Sequence, residues 1–347
     1  MCEKKVSLQT IADRIGVSKY SVSLALNNKP GVSEELRKKI FEVSQEMGYE
    51  KVKRKVLPQN LNIVILIPEY IHKDTFFYND IYWAIERWIQ IKGHTAILTS
   101  INKQMEKMLM LPVGFAEREI AGVLTVGVLS EAYIKKLKET GVPLISVDQY
   151  YDAVNVDVVG TANEEGAFQV VEYLIENGHR DIGFIGSIGM TSSVYERWCG
   201  YQKAMLKYNL KINREHCILE GASLETQFGI QTELESFVDK LVSYPTAWFC
   251  AADRTAVNLI NILVKQGLSV PEDISVAGFD NQAISSISVP ALTTYNVKRT
   301  DMGKLAVDRI LKKIAEPASP TMKTALYGEM VIRESVRRIC EKDNKSL

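Results

Sequence analysis

Two kinds of hydrophobic pattern divide this chain. Up to about residue 50 apolar side chains recur three and four apart. From residue 63 onward, short continuous apolar runs alternate with stretches at helical spacing. In the first region Leu8, Ile11, Ala12 and Ile15 form one stripe of a short helix. Gly16 breaks it, Val17 supplies an apolar turn residue, and Ser18 is a good N-cap for a second helix. There Val22, Ala25 and Leu26 face inward, with Lys19, Tyr20, Ser23 and Leu24 on the other side. Pro30 and Gly31 end it, since Pro lacks a donor and Gly accepts positive φ. Ser33 then caps a third helix with Glu34 and Glu35 in its first turn, where negative charge suits the helix dipole. Leu36, Ile40, Val43 and Met47 stripe that helix and Gly48 stops it. Two short helices about a tight glycine turn, buried by a third, predict a helix-turn-helix unit. The same pattern also fits a three-helix bundle with no nucleic-acid role.

The larger region reads differently. Ile63–Pro68 is a continuous apolar run, the mark of a strand buried on both faces of a parallel sheet. A helix bearing Ile81, Ile85, Trp88 and Ile89 follows, then a strand from Thr95 to Thr99. The alternation continues through Gly122–Val126, Glu131–Thr140 and Pro143–Val147. A second series runs from Val156–Val159 through helices at Glu164–Asn177, Tyr195–Tyr208 and Ala256–Gln266, with strands at Ile182–Gly186, Ala247–Ala251 and Ile274–Phe279. The expected fold class is α/β: an N-terminal all-α helix-turn-helix headpiece followed by two doubly wound α/β lobes. In such sheets ligands bind beyond the carboxyl ends of the strands, here in the cleft between lobes.

Charge sharpens this division. The 347 residues have a formal net charge of zero, but residues 1–57 carry 12 Lys/Arg against 7 Asp/Glu and the remainder 30 against 35. Positive charge is concentrated where a phosphate backbone would be met. The five Cys, at 2, 199, 217, 250 and 340, have no CxxC spacing and suggest reduced thiols, with neither a zinc site nor a disulfide framework. The polar N-terminus is unlike a signal peptide, and no apolar run approaches the roughly 20 residues that span a bilayer, so a cytoplasmic protein is expected. A P-loop, a GxGxxG after the first strand, a GxSxG elbow and an HExxH are all missing, and the four His (72, 94, 179, 216) lie far apart. Neither an enzyme nor a cofactor or metal is expected.

Ordered motifs go further than pattern. Leu8-Gln9-Thr10-Ile11-Ala12, Gly16-Val17-Ser18, Val22-Ser23, Asn27, Val32-Ser33 and Gly48-Tyr49 closely resemble the headpiece of the lac/galactose-repressor (LacI/GalR) family of bacterial transcriptional regulators. Four stretches resemble that family's effector core, itself similar to periplasmic sugar-binding proteins: Asn177–Ile182, Arg197–Tyr201, Val270–Asp280 and Pro290–Thr294. The resemblance spans residues 7 to about 335. It implies a headpiece and hinge over 1–57, a first lobe over 61–160 plus 297–322, and a second over 161–296 plus 323–340. It also implies a homodimer on a pseudopalindromic double-stranded DNA operator, controlled by a small sugar or sugar derivative. The alternative is control mainly by a protein co-regulator docking on the first lobe.

Site residues follow from the same resemblance. Lys19 and Tyr20 occupy positions whose counterparts read base edges; Lys can donate to guanine and Tyr can pack on a thymine methyl. Leu24 stands where some members have Arg, so any bidentate guanine contact there is lost. Thr10, Ser18, Ser23 and Asn27 are phosphate-contact candidates. In the basic linker Lys53 and Arg54 would meet the backbone, although such a run is also a common solvated tether. Leu57 falls where a hinge leucine wedges the minor groove, but Pro58 follows it immediately and would end a helix. For the effector, Asp280 would accept hydroxyl hydrogen bonds or merely cap a helix, and Arg197 would fork onto hydroxyls or a carboxylate. Phe76, Phe77 and Tyr78 would wall the pocket, or be core. Asp253 matches half of a family Asn-Asp pair, whose Asn is Ala252 here. Asp148 and Trp248 complete the expected set.

Overall fold

A computed structural model describes residues 6–27, 29–49, 58–73, 77–112, 115, 119–220 and 230–339 of the chain. It falls into two compact units, Met1–Val56 and Leu57–Leu347. In the first, α1 (Leu8–Ile15), α2 (Lys19–Leu26) and α3 (Glu34–Glu46) bury Ile11, Ala12, Val22, Ala25, Leu26 and Ile40 as one cluster. Ser18 and Ser33 cap α2 and α3, accepting from Ser21 N at 3.0 Å and Leu36 N at 3.3 Å. Ser7 and Thr10 close a reciprocal capping box at the start of α1. Gly16 turns the chain from α1 toward α2 at φ 77°, a left-handed conformation with little cost only for glycine.

The second unit begins with β1 (Asn62–Pro68), α4 (Tyr78–Ile91), β2 (Thr95–Ile101), the short α5 (Lys103–Lys107), β3 (Ile120–Val126), α6 (Glu131–Glu139), β4 (Leu144–Val147) and β5 (Asp157–Thr161). It continues through α7 (Asn163–Glu176), β6 (Ile182–Ile185), α8 (Ser192–Lys207), β7 (Cys217–Ile218), α9 (Ile230–Asp239), β8 (Ala247–Cys250), α10 (Asp253–Lys265), β9 (Ser275–Ala277) and α11 (Ala283–Ile287). Last come β10 (Thr294–Asn296), α12 (Arg299–Ala315), β11 (Lys323–Leu326) and β12 (Glu329–Val331).

Two parallel sheets organise these elements, in the orders β11-β5-β4-β3-β1-β2 and β7-β6-β8-β9. β1 is buried on both faces: Ile63, Ile65 and Ile67 join one core cluster, and Val64 and Leu66 join another. That is why its sequence is continuously apolar. α12 packs on α4 and covers β3, β4 and β5. In the second lobe α7 packs on α8. Their approach depends on Gly200, where an added Cβ would lie 2.2 Å from Glu164 O. The antiparallel pair β10–β12 forms a separate small ribbon.

One expected boundary is corrected. The resemblance places 323–340 in the second lobe, yet β11 pairs with β5 from Lys323↔Val158 to Leu326↔Thr161 and is the edge of the first sheet, while residues after it pack on second-lobe elements, as in the bond from Val276 N to Ser335 O. Without it β5 would be an open edge. The junction is held by Asp157, which is almost fully buried. It accepts from Arg309 Nε at 2.7 Å and Met322 N at 3.0 Å, with Lys313 Nζ at 3.5 Å. α12, β5 and the approach to β11 thus meet on one carboxylate.

Candidate functional site

On α2, Lys19 and Tyr20 are exposed, Tyr20 to 72%, while Val22, Ala25 and Leu26 face the core. A large exposed aromatic beside a cation on the second helix of such a unit is available to a groove. The other headpiece candidates are partly engaged locally. Ser18 caps α2, and Thr10 Oγ1 accepts from Ser7 N at 2.9 Å. Asn27 Nδ2 donates to Ser23 O at 2.7 Å and reaches Ser23 Oγ at 3.4 Å. Leu24 is half-buried, and its Cδ1 would lie 3.2 Å from a Cβ added at Gly31. Sequence reasoning missed Arg37, whose guanidinium ties α3 to the end of α2. It donates to Ala25 O at 3.1 Å, in the last turn of α2, and to Lys29 O at 2.8 Å, just beyond it. Lys53, Arg54 and Leu57 lie outside the described residues, as does Phe76.

The second unit holds a cavity of about 150 Å³ at the carboxyl ends of its strands. Phe77, Tyr78 and Asp148 reach it from the first lobe, and Arg197, Asp280 and Gln282 from the second. Arg197 is buried and completely oriented: Nε donates to Asn163 Oδ1 at 2.9 Å, and Nη1 donates to Ala251 O at 2.6 Å. Nη1 also lies 3.0 Å from Asp280 Oδ1, and the guanidinium carbon stacks 3.9 Å from the Phe279 ring centre. Gln282 Nε2 donates to the other Asp280 oxygen at 3.3 Å. Phe77 and Tyr78 meet edge-to-face at 5.0 Å, forming an aromatic wall.

Asp148 completes the polar lining. It follows β4 at φ 66°, and Asp280 lies beyond β9 at φ 112°, so both cleft carboxylates occupy backbone conformations that side chains disfavour. Tyr78 hydrogen-bonds the Asp148 carboxylate, but Asp148 Oδ1 is buried without a protein partner. Burial pushes this carboxyl up to about 7; Arg197 pulls it down, while Asp280 and Glu196 push it further up.

Two expected effector residues are not brought to the cavity. Asp253 is fully buried, accepting from Thr294 Oγ1 at 2.5 Å and Gln282 N at 2.7 Å. It braces the loop that presents Gln282, and burial, then Asp280, holds its carboxyl above the usual range. Trp248 is core: its indole donates to His216 O at 3.0 Å and its ring packs in the cluster behind β8. Conversely, Asn163 and Gln282 were missed. Only the fold brings Asn163, at the start of α7, against a guanidinium 34 residues later.

The lobes also clasp one another beside the cavity. Gln149 Oε1 accepts from Ser192 N at 3.0 Å and Ser192 Oγ at 3.1 Å, and Tyr150 N donates to Ser192 Oγ at 3.1 Å. Lys323 pairs with Glu196 and stacks 3.9 Å from the Tyr150 ring centre. No helix among the described residues is long and apolar enough to cross a membrane.

Residues 7–51 match the family described as bacterial regulatory proteins, lacI family, and residues 171–336 match the periplasmic binding protein-like domain. The chain is 28% identical over 342 residues to the probable HTH-type transcriptional repressor ExuR of Bacillus subtilis (strain 168), covering 96% of this chain and 99% of ExuR. Among solved structures it is similar to the transcriptional regulator CelR–cellobiose complex, with a TM-score of 0.71 and 22% identity over 95% of this chain and 99% of that one. The lac repressor dimer bound to operator and the anti-inducer ONPF gives a TM-score of 0.69 and 21% identity over 96% and 100%.

Proposed function

Because the chain belongs to the lacI family of bacterial regulatory proteins, and is a DNA-binding transcription regulator, not an enzyme, we propose that it represses from a pseudopalindromic operator as a homodimer. Its operator affinity is set by a small carbohydrate-like effector in the cleft. Lys19 and Tyr20 read base edges, while Thr10, Ser18, Ser23 and Asn27 contact phosphates around them. Lys53 and Arg54 add sequence-independent affinity, and Leu57 adjoins the minor groove.

The observation that carries the effector reading is the buried Arg197–Asp280 pair facing a cavity walled by Phe77 and Tyr78. A buried pair of fixed, opposite charges suits vicinal hydroxyls, and aromatic faces suit the apolar side of a pyranose ring. The CelR neighbour, solved with cellobiose, supports the same class of ligand. Two headpieces are needed because one buries too little surface for tight specific binding. Exposed Trp83, Ile91 and Leu98 on the first lobe are consistent with a partner copy.

The test is selection of binding sites from random DNA by the full-length chain, followed by titration of carbohydrates into the selected complex. The expected result is a pseudopalindrome occupied by two chains, and a carbohydrate that changes its affinity about 5- to 150-fold. Equal affinity for all DNA would refute the regulator. Specific binding that no carbohydrate alters would transfer control to a protein partner on the first lobe.

A further inference from the structure

The cavity holds an imbalance that a neutral sugar does not relieve. Among the described residues, Asp148, Asp280, Glu220 and Glu233 line it against Arg197 and Arg254. The Arg197 guanidinium is already committed to Asp280, Asn163 and the Ala251 carbonyl. Independently of that charge, two buried acceptor atoms of cavity-lining side chains have no partner: Asp148 Oδ1 and Gln282 Oε1. Asp148 is 7% exposed and so is Gln282. The Gln282 amide is oriented by the bond from its Nε2 to Asp280, so the oxygen is the atom left over. A buried acceptor without a donor is costly, and more so when it is a carboxylate. Both atoms therefore call for a donor-rich ligand group, and the carboxylate calls for a cationic one.

We propose that the cleft effector carries a protonated amine beside its hydroxyls, that is, an amino sugar or comparable amino polyol, with the ammonium received by Asp148 Oδ1 and Gln282 Oε1. The inference rests on the carbohydrate-like reading above and narrows it. An ammonium has three donors and no acceptor, which matches two acceptors and leaves one donor for solvent or a ligand hydroxyl. A hydroxyl in its place could donate only once and would bring no positive charge to the carboxylate. The Arg197–Asp280 pair and the Phe77–Tyr78 wall remain for the ring and its hydroxyls.

The experiment is calorimetric titration of the full-length protein at pH 7 with matched triplets: glucosamine, glucose and N-acetylglucosamine, and the corresponding galactose and mannose series. In at least one series the amine should bind about 10-fold or more tighter than the hydroxyl compound, since a charge-assisted bond replaces a neutral one. N-acetylation should remove that advantage, a comparison that needs no variant. Asp148→Asn keeps the shape and tolerates the left-handed backbone. It should bring the amine-to-hydroxyl ratio to within about 2-fold of unity, against the 10-fold above. A neutral sugar binding as tightly as its amine overturns the proposal and leaves the carbohydrate reading standing. An amine preference that survives Asp148→Asn overturns the role given to Asp148. No binding by any member overturns the proposal and the carbohydrate reading together.

Discussion

Raising the pH from 6 to 8 should weaken the second unit, and Asp148 sets a definite part of the loss. Burial, opposed by Arg197 and reinforced by Asp280 and Glu196, pushes its folded-state carboxyl up to about 7. In an unfolded chain an Asp titrates near 3.9. Between those values the folded protein holds a proton that the unfolded chain has released. The resulting stability is therefore complete below the unfolded value and is lost as pH rises through 7. From pH 6 to pH 8 the folded carboxyl passes from mostly protonated to mostly ionised, which corresponds to about 1 kcal/mol. Asp253, also raised, shifts stability in the same direction, so the informative quantity is the difference between wild type and Asp148→Asn. All four Trp (83, 88, 198 and 248) lie in the second unit, so urea unfolding followed by tryptophan fluorescence reports on it alone. The stability of wild type relative to the variant should fall by about 1 kcal/mol across this range without ligand. A difference that stays flat, or that grows with pH, would refute the picture of a buried, proton-holding carboxyl without a cation.

Two other perturbations probe separate parts of the molecule. Arg309→Met leaves Asp157 with Lys313 as its one charged partner among the described residues and should destabilise the second unit by about 3 kcal/mol in the same unfolding assay, since breaking a buried ion pair leaves a poorly compensated charge; a loss below about 1 kcal/mol contradicts that role. Lys19→Ala should cost about 1–3 kcal/mol at one operator position and relax preference there, whereas a uniform loss across all operator variants reassigns Lys19 to the phosphate backbone.

The parts of the fold that were legible are those where local chemistry and burial agree. Ser18 and Ser33 cap the helices they were expected to cap, because a short hydroxyl before an apolar stripe has few other uses. β1 was legible because burial on both faces removes every polar residue from its interior. α12 was not singled out: Lys and Arg occur along it, and the buried Arg309 is satisfied only by Asp157, 152 residues away. β11 was misplaced for a similar reason. Its partly exposed Lys-Thr-Ala-Leu has little apolar content, and its membership of the first sheet depends on pairing with β5. In the cleft, Arg197, Asp280, Asp148, Phe77 and Tyr78 line one cavity, and of these only Arg197 and Asp280 stand within the family-like motifs. Asp253 and Trp248 show the limit of such reasoning. A residue's place at a strand end does not say which way its side chain turns, and both turn inward to protein partners.

The strand order of the first lobe also bears on how the chain is made. A ribosome delivers residues in order, and the strands of the second sheet have all been delivered once Ala277 has emerged. The first sheet began earlier but is still incomplete then. Its β5 edge waits for Lys323–Leu326, and one face of β3, β4 and β5 waits for Arg299–Ala315. Throughout synthesis of the intervening segment the nascent chain carries an uncovered parallel sheet with an open edge, the kind of surface that pairs with neighbours. The parallel sheet that starts first is therefore the one whose strands are complete last. A polypeptide truncated anywhere between Ala277 and Leu326 would release a protein whose second sheet has all its strands and whose first remains an unsealed, association-prone fragment.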